Sequence, residues 1–445
     1  MSSKSNRRDF LKNGGAVVTS AAGFWITGVQ PIWAQEKGPN AKVNVAVIGA
    51  GGKGGGEIQG VLKAGDNIVA LCDVDDKAID GALKNCPDAK RYNDYREMFD
   101  KEAKNFDAVT VSTPDHHHFL ASMLAVKNKK HVYTQKPLVH SVWEARTLAE
   151  AAKEAKVVTQ MGNQGHASDA RREQVELLQQ GVLGKVTEVH VWTNRPIWGQ
   201  AMDRPKNTPG IPNHLHWYEW LGPAPDRPYH KSYHPFSWRG WWDFGTGALG
   251  DMACHLMDAP FWGLDLGYPT SVEAEGDPLH PETGPKWMIV RLEFPARGEK
   301  PPVKLVWYDG GKMPPPELSK GAKIGNNGYI IVGDKGSLVA LDEQGQKRVF
   351  FPDELKDAKV EKTLPRTGGG HEWGNHSEWL NAIKGKGKAL CGFEYAGPFT
   401  EAVLIGIVAF RAGKKLDWDG QAMKATNCPE ADKFVKREYR KGWEI

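Results

Sequence analysis

The chain has 445 residues, 40% of them apolar and 25% charged, too long for one ordinary core and unlike a disordered or collagen-like polymer. Fifty-eight basic and 54 acidic side chains leave a net charge of +4, too small and too dispersed for a nucleic-acid surface. Five scattered cysteines (Cys72, Cys86, Cys254, Cys391 and Cys428) lack any C-x-x-C spacing, so neither a disulfide framework nor a zinc ribbon is indicated.

Asn6-Arg7-Arg8-Asp9-Phe10-Leu11-Lys12 precedes a weakly apolar run at 14–28 that is too short to cross a bilayer comfortably. The segment 1–34 fits a cleavable export signal of the twin-arginine kind, with Asn6 where Ser or Thr is usual. A surface amphipathic arm is the plainer alternative. The signal reading predicts a periplasmic protein with no membrane span in its mature form. Because that route carries folded proteins, an exported dinucleotide-binding chain would keep the cofactor it left with.

Residues 41–160 read as a nucleotide-binding domain. The β-branched run 42–48 predicts a buried strand, followed by G-x-G-x-x-G at Gly49, Gly51 and Gly54 and a helix through Leu62. The first glycine allows the tight turn, the second lets backbone approach a pyrophosphate, and the third lets helix pack on strand. A second strand at 67–72 ends at Asp73, whose carboxylate suits ribose hydroxyls and repels a 2′-phosphate. NAD is therefore expected rather than NADP. A strand at 108–112 runs into Thr113-Pro114-Asp115-His116-His117-His118, a loop that should border the cofactor, because ligands lie beyond the carboxyl ends of parallel strands. The three histidines have no established metal spacing and read mainly as loop or cap residues, so no metal is expected. A strand at 131–134 leads to Gln135-Lys136-Pro137, and Ser141-x-x-Glu144 makes a capping box for a helix at 141–156.

Residues 161–445 read as one sheet-rich domain. A helix at 169–180 stops at Gly181. Strands are expected at 185–193, 271–275, 287–294, 303–308 and 328–341, close enough together to imply a mostly antiparallel sheet. Late helices are expected at 374–384 and 398–412, the second with Pro398 at its first position. The fold class is thus a doubly wound parallel sheet followed by a large, mostly antiparallel one.

Two features of this half bear chemistry. In Asp251-Met252-Ala253-Cys254-His255 the i,i+4 spacing puts a carboxylate and an imidazole on one helix face, a base and its orienter; a helix cap and a core histidine are the plain alternative. His214 to Trp242 is dense in aromatic and polar rings, including Trp238, Arg239 and Trp241. Aromatic faces suit sugar rings and Arg edges suit hydroxyls, while a structural cluster pinning a long loop, or a subunit contact, is an equal reading.

The order of these signals resembles the glucose–fructose oxidoreductase / inositol dehydrogenase / MocA (Gfo/Idh/MocA) family over nearly everything after the signal. The closing Asn427…Tyr439-Arg440-Lys441-Gly442-Trp443 and the Trp-rich loop look like its exported bacterial branch. The resemblance implies that Lys136 lies near nicotinamide and substrate, and that Asp251 and His255 contact the reacting sugar or cyclitol. It also implies a homodimer or homotetramer. Gln135 stands where the family has Glu, so Lys136 lacks that adjacent carboxylate. On this reading His255, oriented by Asp251, takes the proton of a ring hydroxyl as hydride leaves the same carbon, with Lys136 bonded to the oxygen. The alternatives are a redox-neutral NAD-dependent glycosidase or lyase, and a catalytically silent NAD-binding relative.

Overall fold

The structure, a computed structural model, describes residues 41–368 and 370–444, so the expected export signal lies outside the described residues. Six strands, β1 (Asn44–Ile48), β2 (Asn67–Cys72), β3 (Lys90–Tyr92), β4 (Ala108–Val111), β5 (His131–Gln135) and β6 (Thr159–Gly162), form a parallel sheet in the order β3-β2-β1-β4-β5-β6. Its central strands are continuous apolar runs because helices cover both faces. Those crossovers are α1 (Lys53–Lys63), α2 (Asp76–Leu83), α3 (Tyr95–Glu102), α4 (Asp115–Lys127) and α5 (Val142–Ala155). The capping box opens α5 as expected: Ser141 Oγ accepts from the Glu144 amide, and the Glu144 carboxylate accepts from the Ser141 amide at 3.0 Å.

The chain continues through α6 (Asp169–Gln179) into a nine-stranded sheet. Its strands are β7 (Val186–Trp192), β8 (Ser271–Gly276), β9 (Met288–Phe294), β10 (Val303–Tyr308), β11 (Gly328–Gly333), β12 (Ser337–Ala340), β13 (Arg348–Phe351), β14 (Leu416–Asp419) and β15 (Lys424–Ala425). The order is β13-β12-β11-β7-β10-β9-β8-β14-β15, antiparallel except for the β7–β10 pair. Between β7 and β8 lie α7 (Trp217–Leu221), α8 (Gly247–Leu256) and α9 (Asp258–Gly263); after β13 come α10 (Gly370–Ile383), α11 (Phe393–Ala412) and α12 (Asp432–Val435). The buried α11 packs on α5, α8 and β8, joining the two sheets through one core. Helix α10 returns to the first sheet, where Trp379, Leu380 and Ile383 pack with Val45, Val47 and Ile58.

Beyond shifts of a few residues at element ends, such as α10 starting at Gly370 rather than 374, the structure differs from the sequence reading at three places. The run 328–341 is two strands, because Asp334-Lys335 turns the chain and Gly333 and Gly336 exchange backbone hydrogen bonds. Helix α11 begins at Phe393, with Pro398 inside it rather than at its first position. Pro398 forfeits only its bond to the carbonyl of exposed Glu394. Thr113-Pro114 is a turn, but Asp115 through His118 form the first turn of α4 rather than a loop.

The C-terminal segment ties the first sheet's helices to the aromatic loop. Tyr439 donates to Glu144 at 2.8 Å and stacks on Phe119. Arg440 donates to the carbonyls of Gly222 and Tyr218 and pairs with Asp226. Trp443 sits edge-on to Tyr95 and His117 beneath the Arg96 guanidinium.

Candidate active site

The glycine turn joins β1 to α1 under steric constraint. Gly49 has φ +83°, and a Cβ there would lie 2.6 Å from the Ser112 carbonyl oxygen. A Cβ on Gly54 would fall 1.8 Å from the Gly49 carbonyl oxygen, so no side chain fits at the helix start. Asp73, at the end of β2, accepts from the amides of Ala50 (2.7 Å), Gly51 (3.0 Å) and Asp75 (2.9 Å). Burial raises its carboxyl, against the lowering effect of those three donors. Across the turn, at the end of β4, the hydroxyls of Ser112 and Thr113 are buried without a hydrogen-bond partner. Close backbone, a carboxylate for ribose hydroxyls and two unsatisfied hydroxyls fit a dinucleotide, and the carboxylate excludes a 2′-phosphate.

His118 does not face that space. Its Nδ1 lies 2.7 Å from the Pro137 carbonyl and its Nε2 2.8 Å from the Thr113 carbonyl, so the ring bridges two strand-end turns as a buried brace. His116 and His117 likewise turn inward, each with Nε2 on the Trp220 carbonyl. Thr113 and Pro114 stay at the edge of the turn, partly exposed.

Lys136, just beyond β5, reaches α8. Its Nζ donates to the Asp251 carboxylate at 2.9 Å and to the Asp251 carbonyl at 2.8 Å. Arg239 Nε donates to the same carboxylate oxygen at 3.2 Å. Burial would raise the Asp251 carboxyl, but the two cations outweigh it and hold it at about 2. His255 lies one helical turn on from Asp251. Burial pushes its imidazole down to about 4, and the Lys136 ammonium pushes the same way against Glu343 and Asp251. Lys136, from the turn after β5, and His255, on α8, are therefore near enough to influence each other electrostatically.

Asp251 does not orient His255 by a hydrogen bond, contrary to the sequence reading. The spacing puts both on one face, but Lys136 from the end of β5 and Arg239 from the turn before α8 hold the carboxylate. The oxygen at His255 Nδ1 is Asn163 Oδ1, 3.1 Å away, with a Glu343 carboxylate oxygen at 3.8 Å. Neither residue was singled out from the sequence. Asn163 directly follows β6, on the strand-end edge that already carries Gly49 and Lys136, and that position was the available signal. Glu343 lies on the β12–β13 hairpin and carried no such signal.

Gln135 points away from Lys136. Its Nε2 donates to the fully buried Glu57 of α1 at 2.6 Å, and the other Glu57 oxygen contacts His376 Nε2. The amide at 135 therefore serves the packing of α1 and α10, while the carboxylate beside Lys136 comes from Asp251.

The aromatic segment is mostly core. Trp217, Trp220, Tyr233, Trp241 and Phe244 form a buried cluster, and Trp241 gives its indole N–H to the Ser232 carbonyl. Trp241 is fully buried and presents no face to a sugar, which corrects its assignment as a substrate contact. Trp238 is also nearly buried, with the Arg239 guanidinium 4.3 Å above its ring. Arg239 is partly exposed beside Asp251, with Phe236 on its other side.

Residues 43–163 match the profile of an oxidoreductase family, NAD-binding Rossmann fold, and residues 172–299 match the C-terminal alpha/beta domain of the same oxidoreductase family. A levoglucosan dehydrogenase of Pseudarthrobacter phenanthrenivorans is 22% identical over 63% of this chain and 67% of its own length. A 2,7-anhydro-N-acetylneuraminate hydratase of Escherichia coli is 31% identical over 23% of this chain, which spans only 27% of that relative. Among solved structures, the WlbA dehydrogenase of Bordetella pertussis, in complex with NADH and UDP-GlcNAcA, has a TM-score of 0.61 at 16% identity, covering 85% of this chain and 99% of that one. The aldose-aldose oxidoreductase of Caulobacter crescentus has a TM-score of 0.55 at 17% identity, covering 85% of this chain and all (100%) of that one. The structural likenesses show a shared fold.

Proposed function

The chain belongs to the Gfo/Idh/MocA oxidoreductase family, whose NAD-binding domain it carries, and from that premise we propose that it oxidises a ring hydroxyl of a sugar, cyclitol or glycoside. The observation that carries this reading is the meeting of Lys136 and His255 at one turn of α8, beside the carboxyl ends of the parallel strands. NAD, when bound, supplies the hydride acceptor; Gly49, Gly51, Gly54 and Asp73 would hold its phosphates and ribose, with Thr113 and Pro114 at the edge. His255 takes the hydroxyl proton at Nε2. Lys136 donates to the same oxygen, and Asp251 keeps the ammonium aimed there. Arg239, partly exposed at the rim, donates to further hydroxyls. Lys136 favours the oxygen as it loses its proton, a class of interaction whose removal costs roughly 10²–10³ in rate. Export through the twin-arginine route and assembly as a dimer or tetramer belong to the same proposal.

The test is a panel of sugars, cyclitols and glycosides monitored for absorbance of reduced nicotinamide across pH. The base is active when neutral, so with a folded value of about 4 the rate should fall only as pH drops toward 4, well below the ~6.5 of a free imidazole. An acid limb centred between pH 6 and 7 would contradict that electrostatic environment. Glycoside cleavage with no net reduced cofactor would replace the dehydrogenase reading with a redox-neutral one.

A further inference from the structure

We propose that Asn163 is a positioning residue that fixes His255 as the Nδ1–H tautomer, leaving Nε2 as the proton acceptor. The assignment rests on the reading of His255 as the base of the site.

Cys254 lies in the last turn of α8, where carbonyls have no donor from within the helix. Asn163, fully buried, donates from Nδ2 to the Cys254 carbonyl at 2.7 Å. Arg171 donates to the next carbonyl, that of His255, also at 2.7 Å. A carbonyl oxygen only accepts, so the amide cannot be turned over without setting two acceptors against each other in a buried space. The orientation of Asn163 is therefore set by the helix end, and its Oδ1 must face the imidazole.

At His255 Nδ1 the surroundings are all acceptors, Asn163 Oδ1 at 3.1 Å and the Glu343 carboxylate at 3.8 Å. A neutral imidazole has one N–H, and these oxygens place it on Nδ1. Nε2 then holds the lone pair, and it makes no hydrogen bond among the described residues. The charged groups facing the ring are Lys136 from the end of β5, Asp251 from α8, Arg171 from α6 and Glu343 from the β12–β13 hairpin. The carboxylate expected to do the orienting is held by Lys136 and Arg239 instead. An uncharged amide in its place orients the ring without drawing a proton onto it. Burial and Lys136 can then keep the base neutral.

The experiment is long-range proton–nitrogen correlation NMR on the full chain labelled with ¹⁵N-histidine, with the His255 signals identified by their loss in His255→Gln. The wild type should show a protonated Nδ1 and a lone-pair Nε2 at neutral pH. In Asn163→Leu, which removes both the acceptor and the donor, the pattern should move toward the other tautomer. In Asn163→Asp the added carboxylate should raise the His255 titration by about one pH unit or more. With a sugar from the panel, Asn163→Leu should lower kcat by roughly 10–10² while KM stays within about threefold. A wild-type signal with the proton on Nε2, or Asn163→Leu with an unchanged spectrum, overturns the assignment. If the leucine variant does not fold, the wild-type tautomer and the Asn163→Asp titration decide alone. The predicted tautomer together with NAD that no sugar reduces would uphold Asn163 and sink the dehydrogenase reading.

Discussion

Replacing His255 with alanine is expected to lower sugar-dependent reduction of NAD by about 10²–10⁴ while leaving the amount of bound NAD unchanged. The two halves of that result have separate causes. The imidazole sits on α8 with Nδ1 on Asn163 and no hydrogen bond to Nε2 among the described residues, so its loss removes the proposed proton acceptor. The glycine turn between β1 and α1 and Asp73 just after β2 share no hydrogen bond or ion pair with His255, so the contacts proposed for the cofactor's phosphates and ribose remain. Asp251 stays paired with Lys136 and Arg239 in the variant, because neither bond runs through the imidazole. Turnover is measured by absorbance of reduced nicotinamide, and cofactor content by mass spectrometry of the purified protein. Near-normal turnover would remove His255 from the mechanism.

Gln135→Glu is expected to cost about 1–3 kcal/mol of folding stability at neutral pH, although it restores the residue usual in the family. The amide donates to a fully buried Glu57 carboxylate at 2.6 Å. A carboxylate in its place loses that donor and adds a second negative charge beside Glu57, offset only in part by the Lys53 ammonium 3.6 Å from the same Glu57 oxygen and by His376 on the other. Its folded pKa would rise above the unfolded value of about 4.3, so the unfolded chain ionises first. The penalty is therefore absent below about pH 4 and grows as pH rises through the folded value. Denaturant melts at pH 4 and pH 7 separate this account from a simple packing defect, which would cost the same at both. Adding Glu57→Gln should recover part of the loss by restoring one amide facing one carboxylate. A fully stable Gln135→Glu protein at pH 7 would show that the buried pair does not govern this position.

The same two residues show what a sequence discloses and what it hides. The turn from β1 into α1 was legible because the positive φ of Gly49 is a local demand and the approach of Gly54 to the Gly49 carbonyl spans five residues, and Asp73 follows at the end of the next strand. The capping box of α5 was legible for the same reason, since its bonds span three residues. The i,i+4 spacing correctly put Asp251 and His255 on one helix. It could not say which partner each would take, because Lys136 lies 115 residues from Asp251 and Asn163 lies 92 from His255. In the sequence Gln135 is only a neutral neighbour of Lys136, because the Glu57 carboxylate it serves lies 78 residues away. The aromatic segment was ambiguous for a different reason. Rings that line a sugar site and rings that fill a core have the same composition, and only burial separates Trp241 from the partly exposed Arg239.

Lys136 and His255 are proposed to act on one oxygen next to the nicotinamide. A crystal structure of the full chain with NAD and a sugar that reduces it tests this most directly. The account predicts a single ring hydroxyl within hydrogen-bond reach of both Lys136 Nζ and His255 Nε2, on the carbon facing the nicotinamide. A sugar whose reacting hydroxyl meets neither residue would contradict it.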